Sequence, residues 1–178
     1  MRTGRSRVIA RGGEEVFLQG FLPPVRLVIT GASHIAQILV RLAAEMEISS
    51  IVIDPRTAFA TPERFPGCEL HAEWPEEALK TLPLDRRTAV AALAHVPDID
   101  DEALLAALRG DCFYIGALGS SKSHAKRVAR LKEKGLSDAL LARIHAPIGL
   151  DIGSSTPNEI ALSIIAEIIR ELRAPRPG

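Results

Sequence analysis

Residues 26–39 read RLVITGASHIAQIL, and this stretch decides how the rest of the chain is interpreted. Arg26–Thr30 is a short run rich in β-branched residues, which is typical of a strand buried on both faces of a parallel sheet. From Ile35 to Met46, apolar residues recur with the spacing of one helix face. Gly31 stands between these patterns, so the stretch predicts a buried strand joined to a helix by a tight turn.

The alternation of strand and helix patterns continues along the chain and predicts an α/β fold. Further strands are predicted at 50–53, 68–72, 88–93 and 112–118, and residues 55–67 are expected to form a loop. Helices are predicted at 76–82, 100–109 and 121–134, then as a short helix capped by Ser137 and a final one that begins after the capping residue Thr156. Together these elements predict a Rossmann-like single domain: an open, mostly parallel sheet with helices on both faces.

The N-terminal part is predicted to stand apart from this domain. Residues 1–15 are polar and glycine-containing and are expected to form a flexible lead, followed by an accessory strand at Val16–Leu22. The predicted division is therefore an N-terminal lead and strand at 1–24 and the Rossmann-like domain at 25–174.

Composition excludes several classes of protein. The chain has 178 residues, of which 47% are hydrophobic, so it is long and apolar enough for one folded core. Its formal net charge is zero, which disfavours nucleic acid as the main partner. No apolar run has the length of a membrane span or of a secretory signal, so a cytoplasmic protein is expected. The two cysteines, Cys68 and Cys112, lie outside any zinc or disulfide spacing.

The first candidate site is the turn that begins at Gly31, Ala32, Ser33 and His34. Its position matches the dinucleotide fingerprint GxGxxG/A, with Gly31 making the turn and Ala36 allowing close helix packing. Ser33 replaces the middle glycine, and its hydroxyl and N–H are suited to an anion at the helix N-terminus. A plain strand-to-helix turn is the alternative interpretation.

Asp54 strengthens the case for a ligand site. It ends the second strand about 20 residues after the glycine, where an acidic residue bonds a ribose hydroxyl in dinucleotide-binding folds. Arg56 is an alternative partner there for a phosphate. These features support a first hypothesis, an NAD(P)-binding oxidoreductase, although an Asp-Pro turn without a ligand also fits Asp54.

A second glycine loop follows the fifth strand and contributes four candidate residues, Gly116, Gly119, Ser120 and Lys122. Lys122 lies in the first turn of the next helix, where unpaired backbone N–H groups favour an anion. Since both loops follow the carboxyl ends of parallel strands, both are expected to face one ligand crevice.

Three more candidates follow strands or precede the final helix. His95 follows the fourth strand and is either a structural residue or part of the site. Asp151 and Gly153 lie in a loop that either packs the final helix or completes the site. The aspartates after His95 are predicted to cap a helix rather than to bind metal: Asp98, Asp100 and Asp101.

Four segments carry a family resemblance: LVITGASHIAQ, IDPR, YIGALGSSKSHAKRVARL and HAPIGLDIGSSTPNEIALSI. They resemble the C-terminal Rossmann domain of the xanthine dehydrogenase accessory factor family, XdhC/CoxI. The resemblance extends from about Val16 to Leu172 and is most specific in the last two segments.

The resemblance implies a cofactor chaperone rather than an enzyme. Such a protein binds the molybdenum cofactor, assists its sulfuration with a cysteine desulfurase, and delivers it to a xanthine dehydrogenase-type molybdenum hydroxylase. No catalytic residue and no metal site are expected, and a homodimer is compatible with this role. Family members commonly carry an additional N-terminal domain with a cysteine-containing motif. If cofactor binding needs that domain, this chain supplies only half of the function or requires a separate partner.

A third hypothesis is a docking or dimerisation module without a ligand. The final helix has an apolar face that suits an interface, although burial in the core is the alternative use of that face. Its members are Ile164, Ile165, Ile168 and Ile169.

Overall fold

The computed structural model of the chain describes residues 7–12, 14–20 and 22–175. Its strands are β1 (Arg7–Arg11), β2 (Glu14–Leu18), β3 (Arg26–Thr30), β4 (Ser49–Ile53), β5 (Glu69–His71), β6 (Thr88–Ala92), β7 (Tyr114–Ala117) and β8 (Ile144–His145). Its helices are α1 (His34–Glu45), α2 (Pro75–Ala78), α3 (Pro97–Arg109), α4 (Ser121–Glu133), α5 (Asp138–Leu141) and α6 (Pro157–Arg173).

Strands β3 to β8 form a six-stranded sheet in the order β5-β4-β3-β6-β7-β8, in which every pair is parallel. The chain first builds outward from β3 through β4 to β5, then returns to the other side of β3 and continues through β6 and β7 to β8. The direction of building therefore reverses between β3 and β6. At such a switch point the loops leave a crevice at the carboxyl ends of the strands. The Rossmann-like α/β prediction is confirmed.

Two apolar layers hold the helices on opposite faces of the sheet. Helices α1 and α6 cover one face, and α2, α3 and α4 cover the other. Ile164, Ile165 and Ile168 of α6 are each less than 5% exposed, because they pack in the layer shared with α1. These side chains are not available to a partner, so the docking surface proposed for them is wrong.

Side chains cap the starts of α1 and α6, and the second of these caps was predicted from the sequence. The Ser33 hydroxyl accepts a hydrogen bond from the Ala36 N–H, which satisfies one of the free donors at the start of α1. Thr156 and Glu159 form the reciprocal capping box at the start of α6. The buried strand predicted at Arg26–Thr30 is confirmed with the same bounds.

The structure differs from the sequence prediction in the N-terminal region, at β8 and at the start of α3. Strands β1 and β2 pair as an antiparallel hairpin in the region expected to be mostly a flexible lead; residues 1–6 of that lead lie outside the described part. Strand β8 was not predicted, because two residues are too few to show a period. Helix α3 begins at Pro97, since proline suits the first helical position.

Among the described residues, no helix has both the length and the apolar character needed to cross a membrane.

Candidate functional site

The centre of the site is the contact between the loops that follow β3 and β6. Gly31 has a φ of +96°, and a Cβ built on it would lie 2.3 Å from the Ala94 nitrogen. Only glycine permits this approach, because any side chain would meet the facing backbone. The turn glycine predicted from the sequence therefore brings the ends of the two central strands together.

Asp54 lies at the end of β4 and is fully buried. Its carboxylate accepts hydrogen bonds from the Ala32 N–H at 2.7 Å and from the Arg56 backbone N–H at 2.9 Å. The Arg56 guanidinium adds a two-pronged pair, with Nε 2.9 Å from Oδ1 and Nη2 2.7 Å from Oδ2. Burial raises the pKa of Asp54, but these hydrogen bonds outweigh it and hold the pKa below its usual value. Both carboxylate oxygens are thus already engaged within the chain.

Ser33 and His34 lie at the mouth of the first glycine loop. The Ser33 hydroxyl is used as the cap of α1, and its backbone N–H donates to the Gly31 carbonyl at 2.8 Å. His34 is the first residue of α1 and is exposed. This histidine is therefore the accessible polar side chain of the loop.

The second glycine loop meets His95 at the other side of the switch point. A Cβ built on Gly119, which has a φ of +129°, would lie 3.5 Å from Cε1 of His95. His95 itself adopts a φ of +57°, an unusual conformation for a residue other than glycine, and its side chain is exposed. The structure therefore brings His95 and Gly119 together, as the crevice hypothesis expects.

Ser120 and Lys122 mark the beginning of α4. The Ser120 hydroxyl accepts from the Ser123 N–H at 3.3 Å and so caps the helix. Lys122 is exposed in the first turn, close to the helix N-terminus. Its ammonium group and the helix end supply positive potential at this edge of the crevice.

Gly116 has a packing role. It lies inside β7, where a Cβ would come within 2.6 Å of Ile148 and of the Tyr114 hydroxyl oxygen. Gly116 therefore lies in the sheet, whereas Gly119, the other glycine predicted for the site in this segment, lies in the loop that follows. Glycine is needed here for close packing whether or not a ligand binds.

Asp151 and Gly153 are exposed in the loop between β8 and α6. This loop is fastened to α6, because the Gly149 N–H donates to Glu167 at 2.9 Å and the Leu150 N–H donates to the Ser163 carbonyl. The packing interpretation of this segment thus has direct support, and a role for Asp151 and Gly153 in the site stays a prediction.

Two buried charged residues, Asp100 and Arg127, lie beside His95 and carry no site role predicted from the sequence. Asp100 was predicted only as a helix cap, yet it is 2% exposed and accepts hydrogen bonds from the Ala94 N–H and the Thr30 hydroxyl. Burial raises its pKa to about 6. Arg127 of α4 is 4% exposed. A signal for it was present, since Arg127 precedes the buried Leu131 by four residues and so shares its helix face.

The comparisons with known proteins agree with this fold. Residues 27–168 match the family described as the XdhC Rossmann domain. A crystal structure of a xanthine dehydrogenase from Bacillus halodurans superposes with a TM-score of 0.74 and 28% identity, over 89% of this chain and 45% of that one.

Curated relatives also match most of this chain over less than half of their own length. The chain is 34% identical to the uncharacterized protein YqeB of Escherichia coli, over 94% of this chain and 31% of the relative. It is 32% identical to a probable xanthine dehydrogenase component of Bacillus subtilis, over 87% and 45%. It is 33% identical to the molybdenum cofactor insertion chaperone PaoD of Escherichia coli, over 85% and 42%. The chain spans less than half the length of each relative.

The family match covers most of the chain, from Leu27 in β3 to Ile168 in α6. The chain therefore belongs to the XdhC family, and the matched segment is its Rossmann domain.

Proposed function

We propose that this protein is an accessory factor that holds the molybdenum cofactor for insertion into a xanthine dehydrogenase-type molybdenum hydroxylase. The observation that carries the proposal is the convergence of two helix-opening loops at the switch point, where the Gly31 turn approaches Ala94 and Gly119 approaches the neighbouring His95. The names of two relatives, a cofactor insertion chaperone and a probable xanthine dehydrogenase component, support the choice of cargo.

The polar groups around the crevice suit a pterin that carries a phosphate. Helix N-termini attract phosphate because their first N–H groups lack partners within the helix. Lys122 adds an exposed cation, and His34 and His95 are exposed imidazoles that suit a polar ligand. In the proposed complex, these residues bind and orient the cofactor, while Asp54 and Gly116 stabilise the loops and the sheet beneath it.

The oxidoreductase alternative has less support. In a dinucleotide site the acidic residue at the end of the second strand must receive a ribose hydroxyl. Here that residue is Asp54, which is fully buried and bonded to Arg56 and Ala32. Binding of a ribose in the usual way would require the Arg56 pair to open.

The proposal also includes the proteins that this chain would meet while it delivers the cofactor. An insertion factor must meet the apo-hydroxylase, and a sulfuration step requires a cysteine desulfurase to meet the bound cofactor. We assign both encounters to the carboxyl edge of the sheet, because the crevice opens there.

The proposal is tested by purifying the full chain from cells that make molybdopterin and from cells that do not. Retained pterin is measured by its fluorescence after oxidation. We expect near-stoichiometric pterin only from the producing cells, and a loss of about tenfold or more for Lys122→Ala, since a charge-assisted contact is removed. Lys132→Ala, a surface substitution farther along α4, is the control and is expected to retain pterin. Equal absence of pterin from both wild-type preparations would reject the function.

A further inference from the structure

A small pocket lies between α3 and α4, beside His95. It encloses about 170 Å³ and is lined by His95, Pro97, Asp100, Ser123, Lys126, Arg127 and Arg130. Sites for drug-sized ligands occupy about 300 to 1,000 Å³. This pocket therefore suits one functional group of a ligand rather than a whole pterin nucleotide.

Arg127 is the unusual residue in this pocket. Its Nη2 donates to the Leu118 carbonyl at 2.8 Å, whereas Nε and Nη1 are buried and have no hydrogen-bond partner. A guanidinium has N–H donors on all three nitrogens, and buried donors without acceptors are rare because they lose water without compensation. The arrangement indicates that an acceptor from outside the chain completes the hydrogen bonding of Arg127.

Neighbouring acids do not supply that acceptor. Asp101 is paired with Arg130, with Nη2 3.0 Å from Oδ1. Asp100 contributes negative charge near Arg127, but its carboxylate accepts from the Ala94 N–H and the Thr30 hydroxyl. The two acids therefore offset part of the positive charge while leaving two guanidinium nitrogens open.

Other groups in the pocket favour an anion. Lys126 is exposed on α4, and in the described part of the chain no carboxylate pairs with it. Ser123 contributes a hydroxyl, and the first turn of α4 borders the pocket. Helix N-termini and arginine are both suited to phosphate.

We propose that Arg127, with Lys126 and Ser123, forms a binding subsite for a phosphate group. The subsite is distinct from the Gly31 turn, where a Rossmann fold usually binds phosphate, and it adjoins the crevice at His95. Identification of the group as the phosphate of the pterin cofactor rests on the proposed function. The pocket itself would also receive inorganic phosphate or another phosphate monoester.

The test is calorimetric titration of the full chain with inorganic phosphate and, separately, phenyl phosphate, in buffer of constant ionic strength set with chloride. We expect both ligands to bind. Arg127→Gln should weaken binding by about tenfold or more and Lys126→Ala by about threefold to tenfold, since charge-assisted hydrogen bonds are lost. Lys132→Ala is the matched control and should bind as the wild type does.

Lys126→Ala decides the test if Arg127→Gln does not fold, because Lys126 is exposed. Absence of binding to the folded wild type, or affinities that neither substitution changes, would overturn the subsite. Tighter binding of phenyl phosphate than of phosphate would identify a monoester as the ligand class, and the reverse order would identify free phosphate.

The subsite and the proposed function can fail separately. Phosphate binding that depends on Arg127, without any retained pterin, would support the subsite and reject the function. Retained pterin that phosphate does not displace, and that Arg127→Gln does not reduce, would overturn the identification of the bound group as the pterin phosphate and leave the function standing.

Discussion

A Cβ placed on Gly31 would lie 2.3 Å from the backbone nitrogen of Ala94. This closeness joins the loops after β3 and β6 at the point where the sheet reverses its direction of building. Everything proposed for the site depends on this contact, because it fixes where the Gly31 loop, His95 and the start of α3 stand relative to one another.

Gly31→Ala is expected to destabilise the fold severely. Left-handed backbone costs a residue with a Cβ about 1 to 2 kcal/mol, and the clash with Ala94 adds a comparable cost, so a loss of about 3 kcal/mol or more follows. Urea unfolding measures this loss. Gly67→Ala is the control, because Gly67 has a φ of +73° and nothing within 4 Å of the added Cβ. An equal effect of the two substitutions would show that the Ala94 contact is unimportant.

Tyr114→Phe is expected to loosen the loop after β8. The buried Tyr114 hydroxyl donates to Glu167 at 2.7 Å, and the same carboxylate accepts from the Gly149 N–H. Loss of a hydrogen bond to a charged group lowers the free energy of unfolding by about 1.5 to 3 kcal/mol. Arg170→Ala also removes a Glu167 contact, but Arg170 is about half exposed, so solvent screens this ion pair and a smaller loss is expected. If Arg170→Ala proved the more damaging in urea unfolding, the role assigned to Tyr114 would be wrong.

The Asp100 carboxyl is expected to titrate near pH 6. Burial raises its pKa to about 6, and the charge of Arg127 works in the opposite direction. Because the folded pKa exceeds that of the unfolded chain, ionisation of Asp100 lowers stability as pH rises between about 4 and 6, and this contribution is constant above that window.

Carbon NMR of the Asp100 carboxyl, assigned with Asp100→Asn, checks this prediction. In Arg127→Gln the midpoint should move to higher pH, since a favourable positive charge is gone. Arg109→Gln, an exposed change at the other end of α3, should leave the midpoint where it was. A midpoint near 4 in the wild type, or one that Arg127→Gln lowers, would contradict the description of the pocket.

Local sequence patterns predicted the fold well where an element was long enough to show its hydrophobic pattern, or where particular side chains marked its start. The strand at Arg26–Thr30, the capping box at Thr156 and the start of α4 at Ser121 all follow from side chains within a few residues of one another. Strand β8 was not predicted, because the place of its two residues in the sheet depends on pairing with β7, which no local pattern encodes.

The sequence predicted which residues of the candidate site lie close together. It did not predict the contacts that some of these residues make. Gly31, His95 and Gly119 converge as expected from their positions after parallel strands. The use of Asp54 depends on the rotamer of Arg56, which lies two residues away and takes up both carboxylate oxygens. Arg127 was missed because a basic helix usually faces solvent. Its spacing from Leu131 indicates the inward face of α4, and the structure adds that two of its nitrogens are buried without a partner.

A crystal structure of the full chain with molybdopterin tests the central claim most directly. We predict ligand density between the Gly31 and Gly119 loops, beside His95, with the phosphate against Arg127 and Lys126. Density at the opposite edge of the sheet, in the groove lined by Val40, Glu47 and Ser50, would contradict it. Density in the crevice with the phosphate pointing away from Arg127 would support the crevice as the cofactor site and contradict the phosphate subsite.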